Sequence, residues 1–93
     1  MATIRKKTWP DLFEAVRQGR KRFDLRLNDF EIGEGDRLIL EEWDPKSGKY
    51  TGRSLEAIAG HVMEFDPKKP VFWSRGEVEE KGIVIISLKD VKE

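Results

Sequence analysis

The chain has 93 residues, 38% hydrophobic and 39% charged, with 18 basic side chains balanced by 18 acidic ones. That length fits a single domain, 1–93, with one small core. The absence of cysteine excludes disulfides, thiolate metal sites and a cysteine nucleophile, and a lone histidine excludes a histidine-based metal cluster. No stretch approaches the roughly 20 apolar residues of a membrane helix, and Met1–Lys7 lacks the apolar region of a signal peptide. The expectation is a cytoplasmic protein with no metal, no cofactor and no membrane partner, and a monomer.

The charge is unevenly spread. Residues 1–26 hold eight Lys/Arg and three Asp/Glu, whereas residues 27–93 hold ten and fifteen. A basic first third can form one positive face on a neutral protein, and phosphate contacts favour such a face. A solvated charged surface is the alternative.

Residues 3–7 read as a short first strand. Thr8 is a good N-cap, Asp11 stands three residues on as in a capping box, and Pro10 is tolerated in a first turn. Trp9, Leu12, Phe13 and Val16 fall on one helical stripe, and Gly19 suits a left-handed helix end. Next comes Gly19-Arg20-Lys21-Arg22-Phe23-Asp24-Leu25-Arg26, four cations and one acid around a period-two apolar row. Phe23, Leu25 and Leu27 are expected to face a core, with Arg22, Asp24 and Arg26 on the opposite side. Lys21 has the parity of Phe23, so it reaches the Asp24 side only by lying before the strand or through a bulge.

Asn28–Asp36 is turn-rich, and Arg37–Trp43 reads as a long strand centred on Leu38, Ile39 and Leu40. Asp44–Lys49 is a reverse turn, and Tyr50–Arg53 pairs back. Residues 54–65 permit strand or helix; a strand bent at Gly60 is preferred. Asp66–Gly82 reads as a polar loop with a short helical turn near Val78–Lys81. Ile83–Leu88 is an apolar, β-branched run suited to a central strand. One helix with five or six strands in this length predicts an α+β, mostly β fold: a small, largely antiparallel barrel.

The order helix, Gly19-x-Lys21-x-x-Asp24-x-Arg26, turn, then Gly35-Asp36 before Arg37-Leu38-Ile39-Leu40, resembles the ASCH domains of the PUA-like superfamily of small β-barrels. Asn28-Asp29, Glu42-Trp43-Asp44-Pro45 and Tyr50-Thr51-Gly52-Arg53 look like a small, single-domain bacterial and phage branch that is uncharacterised. The resemblance covers roughly residues 4–53 well and the last strand loosely. It implies a cleft bordered by the helix and the motif strand, with RNA or a modified nucleotide as partner. Lys21 and Arg26 would contact phosphates or base edges there, with Arg22 beside them, and Asp24 would orient them or accept from a base amine. The family acid is commonly Glu, so Asp24 is shorter by one methylene. A related enzyme branch hydrolyses the acetyl amide of acetylcytidine with a threonine at the position of Asp24. That departure leans the reading towards binding, with Lys21 and Asp24 as the candidates for any acid–base chemistry.

Other side chains carry two readings. Lys21, Asp24 and Arg26 are a ligand site or a structural ion cluster. Trp9 packs in the core or stacks a base, and Trp43 lies at a strand end where it could flank a cleft. Trp73 and Arg75, in Val71-Phe72-Trp73-Ser74-Arg75-Gly76, stack unpaired bases or plug the barrel end. Lys68-Lys69 is a solvated pair or a phosphate contact. Glu41-Glu42 gives one outward and one inward acid by parity, the inward one an acid/base near Lys21 or one half of a salt bridge. Ser87 reaches the cleft or is an ordinary strand serine, and His61 reads as a satisfied or half-exposed histidine rather than a ligand or a base. The functions in contention are a nucleic-acid-binding module, a small hydrolase of a nucleoside amide or RNA, and a protein-interaction domain.

Overall fold

The computed structural model describes residues 1–65 and 82–93. In chain order the elements are β1 (Thr3–Thr8), α1 (Pro10–Arg17), β2 (Phe23–Leu27), β3 (Arg37–Asp44), β4 (Lys49–Phe65) and β5 (Ile83–Lys92). They form one five-stranded sheet in the order β1-β3-β4-β5-β2. β1 runs parallel to β3, and the other three pairings are antiparallel. The sheet curls into a half-barrel, which bears out the mostly β architecture with one short helix. Its two edges, β1 and β2, are the strands that flank α1 in sequence.

The core lies on the concave side. Phe13 and Val16 of α1 pack over Leu38 and Leu40 of β3, Leu55, Ala57 and Ala59 of β4, and Val84, Ile86 and Leu88 of β5. On β3 and β5 burial alternates with period two, as strand geometry requires. Residues 54–65 are strand, continuous with the 44–49 hairpin. The pairing with β5 shifts register between Ala59 and Val62, so the strand is irregular at Gly60. Ser87 of β5 is tied to that irregularity, its Oγ accepting the His61 N–H at 2.6 Å.

Two local expectations are corrected. Thr8 is the last residue of β1 and does not cap α1; Trp9 occupies the N-cap, and among the described residues no side chain caps the first-turn amides. The reason is packing: Thr8 takes the inward parity of β1 and is 5% exposed. The second correction concerns β2. Asp24 is buried, while Phe23, Leu25 and Leu27 are each about half exposed, so the strand is turned over from the expected orientation. Pairing with β5 sets Asp24 opposite Ile86 and Arg26 opposite Val84, both buried positions. An acid can occupy that face because an adjacent base satisfies it; alternation marks two faces but not which one is inside.

Candidate functional site

The site is built where the sheet fails to close. A pocket of about 400 Å³ opens between the two edge strands, lined by Lys7 and Thr8 of β1, Trp9 and Leu12 at the start of α1, Lys21, and Asp24, Leu25 and Arg26 of β2. The Arg26 Nη1–H donates to the Lys7 carbonyl at 3.4 Å, so one side chain bridges the two edges.

The helix end sets the position of Lys21. Gly19 has φ of 79°, and the Gly19 N–H donates to the Val16 carbonyl while the Arg20 N–H donates to the Ala15 carbonyl, both at 3.0 Å. This is a Schellman turn, and it needs the left-handed glycine. The Lys21 N–H also donates to the Ala15 carbonyl at 3.0 Å, which ties the residue to the helix end. Lys21 therefore lies before β2, and the parity conflict resolves without a bulge.

Asp24 and Arg26 form a bidentate pair: Arg26 Nε–H donates to Asp24 Oδ2, and Nη2–H donates to Oδ1 at 3.0 Å. The two side chains are 5% and 20% exposed. The guanidinium fork expected to meet a ligand is thus engaged within the chain. Lys21 Nζ donates to the Phe23 carbonyl at 2.6 Å and lies 4.7 Å from the Phe23 ring centre. Burial lowers the Lys21 pKa below the usual lysine value, with Asp24 opposing that shift and Arg26 adding to it. Burial thereby disfavours the ammonium, and an anion beside it would relieve the cost.

Lys21, Asp24 and Arg26 come together, and Trp9 joins them, 56% exposed at the rim. Arg22 does not line the pocket; it is exposed, its Nε–H donating to the Gly19 carbonyl at 3.4 Å. Trp73 and Arg75, like Lys68-Lys69 and the helical turn expected at Val78–Lys81, lie outside the described residues. Trp43 packs edge-on against Tyr50 with ring centres 4.9 Å apart, and Lys7 Nζ lies 3.9 Å from its ring. Lys7 thus turns its ammonium to Trp43 and its carbonyl to Arg26. Glu42 is buried and salt-bridged as a structural acid, accepting from Thr51 Oγ1 at 2.6 Å with Arg53 Nε 3.7 Å away.

Sequence reasoning overlooked Thr8 as a site residue. Its Oγ1 is buried without a hydrogen-bond partner among the described residues. The available signal was strand parity: Ile4, Lys6 and Thr8 share the inward side of β1. Among the described residues no group of three or more His, Cys, Asp or Glu side chains could hold a metal ion, and no helix is long and apolar enough to cross a membrane.

Residues 5–72 match the family described as "Domain of unknown function (DUF3850)". The chain belongs to the DUF3850 family. All pocket-lining residues fall inside the matched span. Over 52 residues the chain is 44% identical to a protein of Escherichia phage P2 described as "Uncharacterized 12.9 kDa protein in GpA 3'region". That match takes in 56% of this chain and 46% of the phage protein, so it spans about half the length of that relative. The crystal structure of hypothetical protein PH0355 superposes with a TM-score of 0.66, covering 94% of this chain and 97% of that one at 15% identity. A likeness at that identity speaks for the fold alone.

Proposed function

We propose that the seam pocket binds RNA or a modified nucleotide, as the ASCH-like motif implies. The observation that carries the reading is the meeting of Lys21 and the Asp24–Arg26 pair with Trp9 in one pocket of about 400 Å³. The pocket offers cations for a phosphate and an exposed indole on which a base can stack. The basic first third of the chain supplies the wider field that would draw a polyanion to it.

The test is an amide-shift titration with short single-stranded RNA at low and moderate salt, repeated on Lys21→Met. Binding in the pocket shifts the Trp9, Lys21 and Asp24 amides, weakens as salt rises, and is lost in the variant. Shifts elsewhere, or shifts unchanged in a folded Lys21→Met protein, would overturn it. A modified nucleoside that shifts the same amides when RNA does not would retain the pocket and narrow the ligand.

A further inference from the structure

Resting on the reading of the seam pocket as a nucleotide site, we infer that its ligand is held by a phosphomonoester, seated between Thr8 Oγ1, the uncapped first turn of α1 and the Lys21 ammonium. The argument is an account of hydrogen-bonding groups. The carboxylate and carbonyl acceptors named in the pocket are engaged: both Asp24 oxygens accept from Arg26, and the Lys7 carbonyl accepts from Arg26 as well. The donors are in surplus. Lys21 has three N–H bonds, of which one is directed at the Phe23 carbonyl. Arg26 has five, of which three are engaged, leaving one on each terminal nitrogen.

The start of α1 adds more. Pro10 has no N–H, the first bond to a carbonyl of the turn is Phe13 N–H to Trp9 at 2.8 Å, and the Trp9 cap gives no side-chain acceptor. The Asp11 and Leu12 amides are therefore the open donors of an eight-residue helix, at the positive end of its dipole. Thr8 is the independent observation. It lines the pocket next to that helix end, is 5% exposed, and its Oγ1 has no hydrogen-bond partner among the described residues. A buried hydroxyl left unsatisfied is a cost to folding that a bound acceptor would offset. A site rich in free donors, with its acceptors taken and two cations against one carboxylate, selects an acceptor-rich anion. A terminal phosphate supplies three such oxygens and can take charge-assisted bonds from Lys21 and Arg26 at once. Trp9 at the rim is placed for the attached base.

The shared chemistry has two sources, a free mononucleotide or the phosphorylated end of an RNA. The experiment is an amide-shift titration with cytidine, cytidine 5′-monophosphate, inorganic phosphate, and a tetranucleotide with and without a 5′-phosphate, on the parent and on Thr8→Val. The expected result is that a phosphate raises affinity by roughly tenfold or more, the value of one to two charge-assisted bonds, with the Asp11 and Leu12 amides shifting. Thr8→Val should weaken the phosphorylated ligand while leaving cytidine unchanged. It should also melt at or above the parent temperature, because it removes an unpartnered hydroxyl; a threonine with a structural role would lower it. The better of the two phosphorylated ligands identifies the source. Equal binding of cytidine and its monophosphate, or a Thr8→Val protein with undiminished phosphate preference, overturns the phosphomonoester and leaves the pocket reading in place. Binding of none of the ligands overturns the phosphomonoester together with the RNA reading.

Discussion

The pair Asp24–Arg26 shows what one residue can do to a strand. A lone carboxylate on the inner face of a half-barrel would carry a desolvation cost of several kcal/mol. Arg26, two residues on and on the same face, meets both oxygens and makes the position tenable. The same contact removes Arg26 from the simple role of ligand fork. Arg26→Ala is therefore a poor probe of binding, because it leaves Asp24 buried without its base. It should destabilise the protein by about 3 kcal/mol, the scale for breaking a buried pair. Urea unfolding of Arg26→Ala, Asp24→Asn and the double variant would give the coupling. A loss below about 1 kcal/mol, the scale of an exposed pair, would show that the contact is not a buried one.

At the scale of the element, two irregularities shape the site and the sheet. The Schellman turn at Gly19 ends α1 and sets Lys21 at the pocket. The irregularity in β4 depends on Gly60, where a Cβ would fall inside the contact distance of Ser87 Oγ. That oxygen accepts the His61 N–H, so it can move aside only by giving up the bond. Gly60→Ala is expected to cost about 0.5–1.5 kcal/mol, the net worth of the hydrogen bond displaced. Thermal melting of Gly60→Ala beside Gly60→Ala/Ser87→Gly checks it, since removing the hydroxyl relieves the clash and should recover part of the loss. No recovery would place the cost elsewhere.

Across the whole molecule, Glu14 links the helix to the sheet. It accepts from Arg17 within α1 and from Arg53 of β4 at 3.1 Å, and Arg17 Nη1 lies 3.5 Å from Glu93 at the end of the chain. The hydrogen bond from Arg17, then that from Arg53, holds the Glu14 pKa down to about 2. A depressed carboxylate stabilises the fold above its unfolded pKa of about 4.3, and that contribution fades as the pH falls through the folded value. Glu14→Gln should therefore melt below the parent at neutral pH, with the gap narrowing between pH 4.3 and 2. Melting curves across that range would test it, and a gap independent of pH would mean that the pairs contribute nothing. Because Glu14, Arg17 and Arg53 are partly exposed, salt should shrink the same gap.

How much was legible follows from what each signal encodes. The helix stripe, the turn around Gly48 and the apolar run at 83–88 are local patterns, and each element formed where its pattern lay. The grouping of Lys21, Asp24 and Arg26 was legible too, because three residues of one short segment can hardly separate. The direction of β2 was not, since a period-two row fixes two faces and leaves the choice to pairing with β5. Nor was the part of Thr8, whose hydroxyl suits a cap by local chemistry and was turned inward by its place on β1. Most elements are local matters, because hydrogen bonding and side-chain periodicity are settled within a few residues; residues 54–65, open to strand or helix, are the exception. Long-range pairing makes β1 and β2 the two edges of one curled sheet and sets the pocket between them. That depends on which strands share hydrogen bonds across the chain, and no local pattern records the partner.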